Sequence, residues 1–554
     1  MQPATNAKKW IWQMARPLAG RIALISFLSG FASFSTVLFA LLSKQVIDRA
    51  IGDESGSLWV PGLILMGLLA VRLAFTVLYI ALHDWVCGKM EIRIKDRVFN
   101  TLFRKRWRDV NRFHSGELLN RMTSDTSVVV SGVVSMVPQL VSMVISLVAC
   151  VVVLLAMDWQ FTLVLLGMGA VMLVVSRFYG KRMKGMHKDF QKTDGAGKSF
   201  TQETLANWMV VQSFGGADKV QSRMDTLLNK NFKVRMRRAW WSSISHAAMY
   251  LLFNGSYYVA LLWGALRIAG GGMTYGTLTA LLQLVSQIRT PFMNMSGILP
   301  QYYSMLASAE RIMELENLPD EPRMEQAYNV GELYGRMNRM DVAGVSFAYD
   351  EEKVVLSEAD FSIKKGEFVA LAGFSGIGKT TLFKLLLGFY PPDKGRLFLH
   401  TDQGEILMGA DTRCLFAYVP QQSMLLSGTI RENIAFCCGD VSDEAIWAAA
   451  EVADVAEVIR QQPAGLDTVL GERGSGMSEG QLQRLAIARA VLSGAPVLLL
   501  DECTASLDEA TEERVLQRLR ALPERTCLCI SHRPAALQIC DRVVRVVDGK
   551  FIEE

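Results

Sequence analysis

The sequence predicts a multidomain chain, in which a six-helix all-α transmembrane domain with long cytoplasmic helical extensions is followed by an α/β domain built around a phosphate-binding P-loop. Three observations predict it. Six apolar stretches of membrane-spanning length fill the first part of the chain. Lys and Arg crowd into the two connections that a six-span count places on one side of a membrane. Beyond Pro319 and Pro322 the pattern changes to short β-rich runs, one of which leads directly into a glycine-rich loop and a helix.

Composition sets the same frame. The 554 residues are 51% hydrophobic and 20% charged, too apolar for an ordinary soluble enzyme and too long for one domain. A disordered or nucleic-acid-binding tail protein is thereby excluded. The net charge of +4 hides a split: residues 1–335 hold 35 Lys+Arg against 22 Asp+Glu, and residues 336–554 hold 23 against 32. Seven of the nine cysteines fall in the acidic part without paired CxxC units, the pattern of a reduced, cytosolic domain. Cys437, Cys438, Cys527 and Cys529 lack the usual spacing of zinc ligands.

The first span runs from about Ile22 to Leu42, after Lys8, Lys9 and Arg16; it is longer than a signal-peptide core and has no small-residue cleavage site, so it reads as a retained membrane helix. The others lie near 58–82, 128–157, 160–180, 243–268 and 275–300, the third and fourth parted only by Asp158, Trp159 and Gln160. Lys89 to Arg121 contains ten Lys/Arg and Lys181 to Arg238 contains thirteen, whereas the stretch from Arg267 to Tyr275 has one. Both termini and two long basic loops are therefore expected in the cytoplasm. Those loops read as helical extensions suited to a cytosolic partner, and their charges also suit anionic headgroups.

Polar residues inside a span are costly in lipid. Gln283, Gln287, Thr290, Asn294 and Gln301 form one stripe on the sixth span, expected to face a water-filled pathway, with helix–helix hydrogen bonding as the alternative. Arg72 and Arg289 suit an anionic group on a cargo, and equally snorkelling or an internal ion pair.

In the second part, Glu367 to Ala372 reads as a buried strand, followed by GFSGIGKT from Gly373 to Thr380 and an apolar helix. Gly373, Gly376 and Gly378 let backbone N–H groups curl around phosphates, and the helix presents its positive end to them. Lys379 is expected to reach the β- and γ-phosphates, and Thr380 to ligate Mg²⁺. Val497 to Leu500 is a second buried strand, ending in Asp501 and Glu502 at the sheet edge where a parallel sheet places ligands. Asp501 suits Mg²⁺ through water and Glu502 suits a general base. His532 follows a third apolar strand, Cys527 to Ile530, which brings an imidazole toward the γ-phosphate. Ser478, with Gln481 three residues on, fits the cap of a helix whose free N–H groups suit another phosphate.

The order GFSGIGKT, VPQ (Val419 to Gln421), MSEGQ (Met477 to Gln481), VLLLDE, SLD (Ser506 to Asp508) and SH (Ser531, His532) resembles an ATP-binding cassette domain. FHSGELLNRMTSD (Phe113 to Asp125), ASAERI (Ala307 to Ile312) and GER (Gly471 to Arg473) resemble segments of ABC transporters of the exporter type, so the resemblance covers nearly the whole chain and is to a half-transporter. It implies a transmembrane domain over 1–320, a linker over 321–335 and an ATP-binding cassette over 336–554. It also implies ATP and Mg²⁺ as cofactors. The ATP-binding residues are then Tyr349 on adenine, the loop Gly373, Phe374, Ser375, Gly376, Ile377, Gly378, Lys379, Thr380 and Thr381, and, from the other subunit, Ser478, Gly480, Gln481 and Asp508. Glu502, His532 and Gln421 become the catalytic group; Thr380, Gln421 and Asp501 become the metal group. Glu472 and the segments 109–117 and 206–214 match transmission elements.

One chain carries one of each motif, so the resemblance requires a dimer, favoured as a homodimer. MSEGQ departs from the usual LSGGQ: Met477 replaces Leu and Glu479 replaces Gly, and a carboxylate there suits either a working site or one weakened site in a heterodimer. No peptidase domain is expected ahead of the first span. The implied activity is an ATP hydrolase acting as a translocase in a bacterial inner membrane, exporting or flipping a lipid, amphipathic drug or peptide, and not binding nucleic acid. An importer built on the same fold, for example for a metal chelate, and an ATP-gated channel are the alternatives. A soluble cassette acting on DNA or ribosomes is excluded by the spans and the charge placement.

Overall fold

The computed structural model describes residues 3–322, 328–349, 354–374, 376–422, 424–471, 474 and 476–553. The chain divides into two compact units, one formed by Met1–Thr101 with Ser115–Asn317 and the other by Leu102–His114 with Leu318–Glu554.

The first unit is helical. Its principal helices are α1 (Pro3–Ala15), α2 (Ala19–Ile51), α3 (Trp59–Leu102), α4 (Thr126–Met157), α5 (Trp159–Ala206), α6 (Ala217–Ala269) and α7 (Tyr275–Glu316). Pro17, in the turn Arg16–Leu18, separates α1 from α2, and Gly52, at φ +92°, ends α2 by donating its N–H to Asp48. At 44 residues α3 is about 66 Å long, roughly twice the hydrocarbon thickness, so it continues well beyond a membrane. Among the described residues four helical stretches are long and apolar enough to cross one: Asn6–Ile51, Trp59–Leu102, Ser115–Met157 and Ala217–Ala269. On α3, Leu63, Met66, Leu69, Leu73 and Val77 are exposed, an apolar surface that water would penalise and lipid accepts. Asp158 starts α5 by accepting from Phe161 N (3.0 Å), and its other oxygen accepts from Trp263 Nε1 (3.0 Å) on α6.

Small and polar side chains join these helices. A Cβ on Gly30 of α2 would lie 2.5 Å from Ile145 Cδ1 of α4, and Ser33 Oγ lies 2.5 Å from Ser142 Oγ on the same pair. The stripe on α7 is used partly in the same way: Gln287 Nε2 donates to Thr36 O (3.0 Å) and its Oε1 accepts from Thr36 Oγ1 (2.9 Å). At Gln287 the helix–helix alternative is therefore the one realised, because an amide so placed satisfies both its ends on α2. Gln283 Oε1 is buried with no hydrogen-bond partner among the described residues. The side chains of Arg289, Thr290 and Asn294 lie outside the described residues.

A π-helical turn, Arg121–Asp125, leads into α4. Its two charged ends both turn to α7: Asp125 accepts from Ser308 Oγ (2.9 Å) and Arg311 Nε (2.8 Å), while Arg121 donates to Arg311 O (2.8 Å) and pairs with Glu314. The segments FHSGELLNRMTSD and ASAERI thus meet through buried, charge-assisted bonds.

The second unit is α/β. A four-stranded antiparallel sheet has the order β2-β1-β4-β5, with β1 (Met337–Ala348), β2 (Val354–Lys364), β4 (Lys394–Thr401) and β5 (Gly404–Leu407). A six-stranded sheet has the order β10-β9-β3-β8-β7-β6, with β3 (Phe368–Ala372), β6 (Phe416–Val419), β7 (Val497–Asp501), β8 (Thr526–Ile530), β9 (Arg542–Val547) and β10 (Lys550–Glu553). Strands β9, β3, β8, β7 and β6 run parallel, and β10 pairs antiparallel with β9. Every residue of β7 and β8 is buried, which explains the apolar runs Val497–Leu500 and Cys527–Ile530. Alternate residues feed two cores: Leu498, Leu500, Cys527 and Cys529 one, Val497, Leu499, Leu528 and Ile530 the other.

Leu102–His114, from the first basic loop, is built into this unit. Lys105 Nζ donates to Leu318 O (2.7 Å) and Asp320 (2.6 Å), and the Trp107 and Phe389 rings stand 5.6 Å apart. The nine cysteines are all free thiols, and no cluster of metal-ligating side chains is found among the described residues.

Burial separates the thiols chemically. Cys437 is exposed, whereas burial pushes Cys503 up to about 12 and Cys527 and Cys529 well above the usual thiol range. Maleimide at neutral pH is expected to modify Cys437 and to spare Cys503, Cys527 and Cys529 until denaturant is added, as read by peptide mass spectrometry. Native labelling of Cys527 or Cys529 would contradict the central position of β8.

Candidate functional site

Three adjacent parallel strands end at one edge, and each delivers part of the site. The loop after β3 opens α8 (Lys379–Leu386), β7 ends on Asp501 with Glu502 next, and the residues after β8 are Ser531 and His532.

The first loop needs its glycines. Gly373, Gly376 and Gly378 have φ of +140°, +80° and +116°, and a Cβ at Gly373 would lie 2.8 Å from Val546 O. Phe374 projects into solvent, Ile377 is half-buried, and Ser375 lies outside the described residues. Lys379 Nζ donates to Gly373 O and to Phe374 O (3.1 Å) and lies 3.2 Å from His532 Nε2. Burial holds its ammonium below the usual lysine range, against the pull of Glu502 and Asp501. Thr381 is buried beneath the loop.

Asp501, 3% exposed, is bonded at both oxygens: Oδ1 accepts from Thr380 Oγ1 (3.1 Å) and Oδ2 from Tyr418 Oη (3.0 Å). Burial raises the Asp501 carboxyl above the usual range while these two donors oppose the rise. Tyr418, the last residue but one of β6, is pushed upward by burial and by Asp501. Sequence reading missed it; its place three residues ahead of Gln421 on an apolar strand was the available signal.

Glu502 adopts φ +48°, unusual for a side chain of its size, and this aims its carboxylate away from the core. Oε2 accepts from Gln421 Nε2 (2.8 Å), and Oε1 lies 3.7 Å from His532 Nε2. Tyr349 sits with its ring 5.3 Å from Tyr390 and its hydroxyl 3.2 Å from Thr381 Oγ1, so it borders the same loop.

The remaining predicted residues form a second group. Ser478 caps α9 (Glu479–Leu492): its N–H donates to Gln481 Oε1 (2.9 Å) and its Oγ accepts from Gln481 N (3.4 Å). Glu479 is an exposed residue of the first turn, where a carboxylate favours the helix dipole. Gly480 packs on Ser506 O, 2.8 Å from where its Cβ would stand. Asp508 caps α10 (Glu509–Arg520) by accepting from Thr511 N (2.9 Å), which holds its carboxyl below the usual range. Glu472 lies outside the described residues.

The donor set suits a hard cation beside a polyphosphate. A threonine hydroxyl and a buried carboxylate meet at 3.1 Å, next to a glutamine amide, with a lysine and a helix N-terminus alongside.

Residues 22–292 match the family described as ABC transporter transmembrane region, and residues 356–505 match the family described as ABC transporter. The chain is 30% identical over 549 residues to an ATP-dependent lipid A-core flippase of Vibrio vulnificus, covering 98% of this chain and 94% of that protein. It is 31% identical over 559 residues to the protein of the same description from Chromobacterium violaceum, covering 98% and 94%. A solved structure of a bacterial Atm1-family ABC exporter with ATP bound shares the fold, with TM-score 0.78 and 24% identity over 98% of this chain and 95% of that one.

Tyr418→Phe removes one of two donors to a buried carboxylate, a loss of about 1.5–3 kcal/mol. The variant is expected to fold and to need several-fold more Mg²⁺ for half-maximal nucleotide binding, titrated with a fluorescent ATP analogue. An unchanged Mg²⁺ midpoint would remove Tyr418 from the site.

Proposed function

The chain belongs to the ABC transporter family, a multi-pass membrane protein that couples ATP hydrolysis to transport, and we propose that it works as a dimer of two copies that flips an amphipathic lipid outward across a bacterial inner membrane, with both termini in the cytoplasm. Each ATP is held by the 373–381 loop of one copy, with Tyr349 against adenine, and by Ser478, Gly480, Gln481 and Asp508 of the other. The observation that carries the reading is the convergence of Lys379, Asp501, Glu502, Gln421 and His532 at one sheet edge, with Glu502 3.7 Å from the imidazole and 2.8 Å from the Gln421 amide.

From that arrangement the chemical roles follow. Glu502 takes the proton from a water aimed at the γ-phosphate, and the amide of Gln421 fixes which way its carboxylate faces. Lys379 and His532 neutralise charge on the γ-phosphate oxygens. Thr380, Asp501 and Gln421 would hold Mg²⁺, which when bound spreads the phosphate charge. Tyr418 keeps Asp501 oriented from behind.

Transmission to the membrane part is assigned to 109–117 and 206–214. The first overlaps, over 109–114, the Leu102–His114 segment built into the ATP-binding unit. The second carries Met209 and Phe214, 84% and 85% exposed, an apolar tip suited to docking on a cassette. Lipid as cargo is supported by the two relatives described as lipid A-core flippases.

The test is hydrolysis and flipping by the protein in nanodiscs and liposomes. Glu502→Gln is expected to lower turnover about 100-fold or more while ATP still binds, and full-rate hydrolysis by it would overturn the assignment of the base. Wild-type particles of two-copy mass should be stimulated by lipopolysaccharide-type lipids. Stimulation by peptides or metal chelates with none by lipids would replace the cargo.

A further inference from the structure

The loop Cys503–Leu507, between β7 and α10, is tied down chiefly by groups given no role in the chemistry above. Thr504 Oγ1 donates to Glu512 Oε1 (2.8 Å), and Glu512, fully buried, forms through Oε2 an ion pair with Arg533 Nη1 at 2.9 Å, without hydrogen-bond geometry. The same Nη1 donates to Thr504 O (3.0 Å) and Leu507 O (2.6 Å). From the other side, Ser506 N donates to Gln483 Oε1 (3.2 Å) on α9, and Gly480 packs on Ser506 O.

Arg533 follows His532 directly, so the residue beside the imidazole also clamps the loop that backs the first turn of α9. A fully buried carboxylate is costly unless paired. Glu512 therefore keeps the guanidinium in place, and the guanidinium fixes the spacing of two carbonyls in the loop. We propose that Arg533, seated by Glu512, is a positioning residue that ties the His532 side of one ATP site to the Ser478–Gln481 turn that the same chain offers to the other ATP. This rests on the site reading above. Movement of His532 toward a γ-phosphate then shifts Thr504 and Leu507, and through Ser506 and Gly480 the shift reaches Ser478. Each chain thereby presents its capped helix according to whether its own loop holds ATP.

The test uses the full chain in nanodiscs. Arg533→Met is expected to lower kcat about tenfold while KM for ATP changes less than about twofold, with faster amide exchange confined to residues 504–508. Arg533→Lys, which keeps the charge on Glu512, should restore most of kcat and of the protection. Glu512→Gln, which keeps the Thr504 bond, should loosen the same five residues without unfolding the cassette. Unchanged kcat in Arg533→Met, or lowered kcat with 504–508 as protected as in wild type, would overturn the proposal. So would equal loss of protection throughout the cassette in both Arg533 variants, the mark of a purely structural role. The exchange readout is independent of which carboxylate is the base, so it separates this proposal from the Glu502 assignment, which is read from Glu502→Gln.

Discussion

The site depends on one constraint of the parallel sheet: adjacent strands β3, β8 and β7 end at the same edge, so the loops leaving them must meet. Residues more than a hundred positions apart are brought within a hydrogen bond of one another by that edge alone, as Thr380 and Asp501 are at 3.1 Å. The strands can hold this register because they are buried on both faces, and their alternate residues lock into two separate cores. Rigidity there permits strain at the edge, where Glu502 is held at positive φ.

The helical unit answers a different solvent. In lipid the backbone must satisfy itself, which favours uninterrupted helices, and the apolar effect gives no reason for one helix to choose another. Selection falls to small residues and to the few polar side chains. Gly30 against Ile145, Ser33 against Ser142 and Gln287 against Thr36 are those choices. The helix ends beyond the apolar stretches return to water-like rules, with Asp125, Arg121 and Arg311 forming the charged joint between the π-helical turn and α7.

ATP hydrolysis is coupled to transport, and a short segment from the first part of the chain belongs to the ATP-binding unit. Leu102–His114 lies between membrane-part segments in sequence yet packs with residues of the α/β unit, Leu318, Asp320 and Phe389 among them. On the cassette side, Arg533 and Glu512 give the same kind of link between two functional surfaces, through buried charge rather than through a hinge.

By itself the sequence determined the family and its use of ATP, and it singled out the residues that meet at the sheet edge, because glycine, lysine and carboxylate at the ends of apolar strands have few other uses. GFSGIGKT, VLLLDE and the His532 segment are local patterns, each readable within a dozen residues. What only the tertiary structure decided are partnerships across the chain. The bond of Tyr418 to Asp501 exists only because β6 lies beside β7, and the pairing of Glu512 with Arg533 only because the 503–507 loop brings them together. Gln287 read as a lining residue of a pathway, and helix packing turned it toward Thr36 instead. Spacing along a chain records which face a residue occupies; which other element covers that face is fixed only when burial must satisfy every polar group at once.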